Sequence, residues 1–381
     1  MPLAIALAST ALMPLPNHNA VIAQTSPVPN GPRLAGTFLQ LRLDRRWTDA
    51  ELRDLFLDFR RLGLARVVVQ WTVVGTKAFY PSAIFESVPD PPLEPLLALA
   101  DEFRITVRLG LAHDPEFWEK TRLDAPPRDL DAYLQLLRER STTVLRELLP
   151  IAGRHRSFEG WFFTEEIDDI NWLPPERRAR LHGYLADLRR TARSLGSPAS
   201  VAVSGFSNAH CDPATLEAFW RELLTATNID QVYFQDGIGA HKLELPYLAM
   251  YLTAVKRAAL STGHDLSVVV ELFDQVGGLP VAEGSFKAVP AAIDRLAHQL
   301  AVASDASTAG ILAFSVPDYM VPAAGPAARR LFDEYVTHLS TVNPADRGPQ
   351  RGARVGVVDR GLQRGSRVGV EEGVERDHVR P

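Results

Sequence analysis

Four carboxylates crowd into the stretch Glu165-Glu166-Ile-Asp168-Asp169, directly after the aromatic run Trp161-Phe162-Phe163 and Thr164. A further acid, Glu271, follows Val268-Val-Val270 without a break. Carboxylates within a few ångströms raise one another's pKa, and burial raises it further. Such an arrangement serves where a chain needs a proton donor or a cation site. The competing reading of the first cluster is a solvated acidic turn whose Asp residues cap a helix. For Glu271 it is a structural ion pair, with Arg108 as the candidate partner, because a buried Glu is rare unless paired. Glu165 and Glu166 alternate in direction if the strand persists, so only one of them points inward. Asp168 and Asp169 read as loop-shaping residues.

The elements that must position these acids are regular. Between about residues 34 and 340, short apolar strands alternate with helix-length amphipathic segments. Strands are predicted at 36–41, 66–71, 105–110, 160–164, 200–204, 231–235, 267–272 and 310–316. Helices are predicted to start near Thr48, Leu93, Arg128, Pro175, Asp212, Leu245, Pro290 and Pro326. Thr48-Asp-Ala-Glu51 forms a capping box, and Pro175 and Pro213 suit first-turn positions. Eight β-α units imply parallel strands closing into a single (β/α)8 TIM barrel. An open doubly wound sheet is the alternative, but it usually carries a glycine-rich loop after its first strand. The segment Leu41-Arg-Leu-Asp-Arg-Arg-Trp47 contains no glycine.

In a barrel the chemistry gathers at the C-terminal strand ends. In chain order these ends supply Gln40, Gln70 with Trp71, His113 with Asp114, Glu165 with Glu166, Ser204, Gln235 with Asp236, Glu271 with Phe273, and Ser315 with Asp318 and Tyr319. Lys77 and Tyr80 lie in the loop after the second strand. Amides and carboxylates hydrogen-bond sugar hydroxyls, and aromatic faces stack on sugar C–H surfaces; Trp71, Tyr80, Trp172 and Phe273 are the aromatic candidates. Two opposed carboxyls in such a cleft are what glycoside hydrolysis requires: one protonates the leaving oxygen, the other attacks the anomeric carbon or activates water. A separation of about 5–5.5 Å goes with retention and about 6.5–9.5 Å with inversion. Asp236 either orients the acid or binds substrate. His113 either binds substrate or has a structural role.

Composition narrows the field. The 381 residues carry a net charge of -5 with a pI near 6.1, which argues against a nucleic-acid partner. One cysteine, Cys211, excludes an internal disulfide and any cysteine-based metal cluster. His113, His210 and His241 fall on three different loops without ligand spacing, no lysine sits on a predicted strand, and no cofactor is called for. Gly277-Gly278 offers only half of a phosphate-loop signal. Residues 1–23 read as a signal peptide and hence an exported protein, although no Lys or Arg precedes the apolar run. No stretch is long and apolar enough to span a membrane. Residues 343–381, rich in Arg, Gly and Val and without aromatics, read as a disordered tail. Oligomeric state is not encoded legibly.

The stretches Gly36-Thr-Phe-Leu-Gln40, Val69-Gln-Trp-Thr72, Gly160 to Trp172, Phe234-Gln-Asp-Gly-Ile-Gly239 and Val270-Glu-Leu-Phe273 resemble the bacterial domain-of-unknown-function family 4434. That family is a glycoside-hydrolase-like barrel, often on exported proteins. More distantly, acidic ends on strands four and seven are similar to the large retaining glycosidase clan. That resemblance implies Glu271 as nucleophile and Glu166 or Glu165 as acid/base. The chain departs from the clan where an Asn precedes the strand-four Glu; Thr164 or Glu165 stands there instead. The expectation is a glycosidase acting on a polysaccharide or oligosaccharide. The alternative from another class is a non-catalytic carbohydrate-binding barrel serving polysaccharide export or remodelling.

Overall fold

The computed structural model describes residues 32–197, 199–278 and 286–342. The expected signal peptide and C-terminal tail lie outside the described residues. Eight parallel strands close into a barrel: β1 Leu34–Leu39, β2 Arg66–Val69, β3 Thr106–Gly110, β4 Phe158–Ile167, β5 Ser200–Gly205, β6 Gln231–Gln235, β7 Asp265–Glu271 and β8 Ile311–Phe314. Each strand pairs with the next in sequence, and β8 closes onto β1 through Leu34–Ile311 and Thr37–Ala313. This is the expected (β/α)8 TIM barrel.

The helices follow the strands in turn: α1 Asp49–Arg61, α2 Leu93–Phe103, α3 Pro127–Ala152, α4 Pro175–Ser194, α5 Pro213–Thr227, α6 Leu245–Thr262, α7 Ile293–Ala306 and α8 Pro326–Val342. Thr48 caps α1 with the reciprocal Glu51 bond, which satisfies donors that the first helical turn leaves free. Asp212 caps α5 through Thr215 N at 2.8 Å. Helix α7 starts later than Pro290 suggested. An antiparallel hairpin, Phe273–Gly277 with Lys287–Pro290, occupies that segment first.

Side-chain alternation divides the barrel interior into three zones. The middle is dry, filled by Phe38, Val68, Phe162, Ala202, Tyr233, Val269 and Leu312. Phe38 meets Phe162 and Tyr233 edge-on at 5.5 and 5.8 Å, a favoured geometry for aromatic quadrupoles. The N-terminal end is plugged by an ionic network. Arg108, 2% exposed, pairs with Glu159 at 3.0 Å, and Arg66 pairs with the same carboxylate at 3.0 Å. Arg108 also donates to Ser200 Oγ and to the carbonyls of Trp161 and Ser200. Every donor direction is engaged except Nε, which makes the plug rigid rather than reactive. Only the C-terminal end is left open for chemistry.

Candidate functional site

Counting two residues up each strand from the dry middle zone gives the inward side chains of the C-terminal mouth. They are Gln40, Gln70, Gly110, Ser204, Gln235, Glu271 and Phe314, with Glu166 on β4. Strand β4 reaches this set by a different count. Its register runs Phe163 opposite Val203 and then Glu166 opposite Ser204, so Thr164 and Glu165 are extra residues in a bulge. Two extra residues preserve the alternation. Glu166 therefore faces the mouth and Glu165 faces the helices.

Hydrogen bonding confirms the split. Glu166 Oε1 accepts from Gln235 Nε2 at 2.8 Å, two strands away, with the small Ser204 on the strand between. Glu165, 3% exposed, accepts from Tyr184 Oη of α4 at 2.5 Å, and its second oxygen is buried without a partner. Burial pushes the Glu165 carboxyl up to about 7, with the Tyr184 bond opposing. Of the acids read from the sequence, Glu166 alone of this pair reaches the mouth.

Glu271 closes β7 and is 3% exposed. Its Oε2 accepts from Ala240 N at 2.7 Å. The expected structural partner Arg108 lies at the opposite end of the barrel, engaged with Glu159, so that ion pair does not account for Glu271. Burial raises the Glu271 carboxyl, and the charges of Lys242 and Arg295 oppose the rise. Gly239 packs so close that an added Cβ would sit 2.1 Å from Phe273 O and 3.1 Å from Glu271 Oε2. Only glycine lets the loop after β6 deliver the Ala240 amide to this carboxylate.

Lys242 escaped the sequence reading. It sits on the same loop, tied by its own N–H to Gly237 O at 2.8 Å. Its Nζ lies 3.0 Å from the ring centroid of Phe206, a cation–π contact. Its charge interacts with Glu166 and Glu271 both, as well as with Asp168 and Asp169, while burial pulls its pKa down. The signal available was a single cation in a glycine-bearing loop after a strand, which the strand ends alone did not include.

The amides and one aromatic pair complete the mouth. Gln40 Nε2 donates to Gln70 Oε1 at 2.8 Å. Trp71 donates its indole N–H to Leu41 O and stacks on His113, centroids 4.4 Å apart and planes 18° apart. Burial pushes His113 down to about 4, so the ring is neutral near pH 7.

Four residues expected at the substrate, Asp236 among them as either an orienting or a binding group, are buried. Tyr80 is fully buried under α3, its hydroxyl donating to Glu147 at 2.9 Å. Trp172 is fully buried, with the Arg177 guanidinium over its ring. Phe273 is 4% exposed, packed against Phe286, Phe314 and Tyr319. Asp236 is fully buried and points away from the mouth; it accepts from Gln299 Nε2 of α7 and from Ile238 N and Glu271 N. For Tyr80, Trp172 and Asp236 the loop or the strand alternation turned the side chain into the helix layer, whereas Phe273 is covered by its packing against the mouth residue Phe314 and against Phe286 and Tyr319. Asp236 acts instead behind Glu271, and burial with the Glu271 charge pushes it up to about 8. Asp168 and Asp169 shape loops as expected. Asp168 holds Ile170 N and Asn171 N, and Asp169 holds Ser207 Oγ, Asn208 N and His210 N. Among the described residues no group of acids, histidines and cysteine is placed to hold a metal ion.

The family profile described as domain of unknown function (DUF4434) matches residues 34–326, the barrel almost entire. The chain belongs to the DUF4434 family. This DUF4434 barrel is 28% identical over 236 residues to the uncharacterized protein YbcH of Escherichia coli (strain K12), covering 60% of this chain and 73% of YbcH. It is also similar in fold to a candidate alpha-L-fucosidase from Bacteroides thetaiotaomicron, with a TM-score of 0.66 at 18% identity over 86% of this chain and 99% of that one. The DUF4434 match spans the five strand ends named above and leaves the chemistry to be argued from the mouth itself.

Proposed function

We propose that this DUF4434 barrel is a glycoside hydrolase of the retaining type, acting on a polysaccharide or oligosaccharide, with Glu166 as acid/base and Glu271 as nucleophile. The observation that carries the reading is that Glu166 and Glu271 sit on the inward parity of β4 and β7 at one polar mouth, in different environments, and that Lys242 interacts with both. Glu271 accepts a backbone N–H and has cations near it. Asp236 lies behind it, its carboxyl raised by burial and by the Glu271 charge. The Ala240 N–H and the Lys242 and Arg295 charges favour the ionised form of Glu271, the form that attacks the anomeric carbon. Glu166, less buried and held by Gln235, is suited to donate to the leaving oxygen and then to deprotonate water. Gln40, Gln70 and the Trp71–His113 stack are the groups suited to bind the sugar. The likeness to the Bacteroides protein supports the barrel scaffold and leaves the sugar open.

One observation favours a second reading. Glu271 at 3% exposure is poorly reachable, which fits a barrel that binds glycan without cutting it. The test is release of reducing ends from a panel of polysaccharides and aryl glycosides by wild type and Glu271→Gln. Release by wild type, lost by orders of magnitude in the variant, supports hydrolysis. Retention of a glycan with no release by either protein supports the binding barrel.

A further inference from the structure

On the rim of the mouth, the loops after β1 and β2 enclose a pocket of about 240 Å³. Its walls carry four cations, Arg42, Arg45, Arg46 and Lys77, against two carboxylates, Glu86 and Asp90, with Trp47 and Phe79 as apolar surface. Two of these cations are already matched: Arg42 pairs with Asp44 at 2.6 Å, and Lys77 pairs with Glu86. The other two are not. Arg46 is exposed, and Arg45 is partly buried with its guanidinium 3.5 Å from the ring centroid of Trp47. Among the described residues no carboxylate accepts a hydrogen bond from Arg45; Asp318, Glu51 and Asp44 act on it only through space, and burial lowers its pKa. A guanidinium held over an indole by a cation–π contact can still present N–H donors to an incoming anion. Desolvating a cation without pairing it is costly, and the cost is offset when a ligand supplies the counter-charge.

The pocket belongs to the same face as the paired glutamates. Arg42 interacts electrostatically with Asp318 and Tyr319 of the loop after β8, and Tyr319 in turn feels Glu271. Trp71 of the mouth is tied to Leu41 O, at the start of the arginine loop. The cationic cluster stands out in a chain of net charge -5, so it does not reflect a basic surface overall.

We infer that Arg45 and Arg46 form an anion subsite that takes a negatively charged group on the glycan: the carboxylate of a uronic acid, or a sulfate or phosphate ester. The inference rests on the glycan reading above and names the substrate class of that same cleft. The oxygens of a charged substituent reaching the loop after β1 would accept hydrogen bonds from the Arg45 guanidinium.

The test measures binding rather than turnover, in the full chain carrying Glu271→Gln. Titration calorimetry compares matched pairs of probes: oligogalacturonate with its methyl ester, a sulfated heparin fragment with its desulfated form, and a phosphorylated mannan oligosaccharide with its dephosphorylated form. The expected result is affinity for at least one charged probe on the order of tenfold or more above its neutral partner. That preference falls with added salt and disappears in Arg45→Gln/Arg46→Gln, and it is reduced in the single exposed-site variant Arg46→Gln. Which pair shows the preference separates carboxylate, sulfate and phosphate. Absence of a charge preference in every pair overturns the subsite, as does a preference that persists in the double variant while its thermal unfolding matches the parent. A charge preference without any hydrolysis by wild type leaves the subsite standing and removes the hydrolase reading. Hydrolysis of neutral glycans with no charge preference does the reverse.

Discussion

Gln235 Nε2 and Glu166 Oε1 lie 2.8 Å apart, joining β6 to β4 across the barrel mouth. The bond fixes the orientation of the proposed acid/base from a rigid strand rather than from a loop. Replacing Gln235 by Leu removes the bond, and kcat/KM is expected to fall by roughly 10- to 100-fold. Replacing it by Glu places a second negative charge beside Glu166. The added negative charge is expected to move the alkaline limb of the pH–rate profile to higher pH. Steady-state kinetics across pH check both.

Lys242 interacts with Glu166 and Glu271. Lys242→Met removes a cation that favours the ionised form of Glu271, so the Glu271 pKa rises. The acid limb of the pH–rate profile, which reports the nucleophile, moves to higher pH, and Lys242→Arg keeps it near the wild-type position. An unchanged acid limb in Lys242→Met would remove Lys242 from the electrostatics of the reaction.

Glu165 is held neutral by burial, with its pKa pushed up to about 7. The folded chain therefore keeps a proton that the unfolded chain releases near pH 4.5. Stability from this group is full below the unfolded pKa and declines as pH rises toward 7, then stays low. Glu165→Gln keeps an acceptor for Tyr184 and has no charge to desolvate. It is expected to be more stable than wild type at pH 8, by at most about 3 kcal/mol, with the gain shrinking toward pH 5. Urea unfolding at several pH values measures this.

The ionic plug at the base predicts a different kind of loss. Glu159→Gln leaves Arg108, 2% exposed, and Arg66 short of their shared counter-charge. Breaking a buried pair from one side costs about 3–5 kcal/mol, so the melting temperature drops clearly while any activity of the folded fraction is retained. Thermal unfolding and kinetics at a temperature below both transitions separate the two effects.

Much of this architecture was legible in the chain. Runs such as Val67-Val-Val69 and Val268-Val-Val270, buried on both faces, announce parallel strands. The capping box at Thr48 and the prolines at 175 and 213 mark helix starts that the structure keeps. Facing was harder. Trp161, Phe162 and Phe163 are all fully buried, so an apolar run conceals which parity points inward, and with it the choice between Glu165 and Glu166. The bulge at Thr164–Glu165 has no sequence mark. The aromatics failed for a related reason: Tyr80 and Trp172 sit in loops, where no periodicity tells whether a ring turns toward the mouth or under a helix. Asp236 immediately follows the inward Gln235 and so points outward, which strand alternation could have told.

The most direct test of the account compares Glu166→Gln with Glu165→Gln on the same glycan, reading reducing ends alongside thermal unfolding. The account predicts that Glu166→Gln loses activity by at least about a thousandfold while its folding is unchanged, and that Glu165→Gln stays within a few-fold of wild type. Loss in Glu165→Gln with Glu166→Gln still active would contradict it, because the carboxyl facing the helices would then be the one the reaction needs.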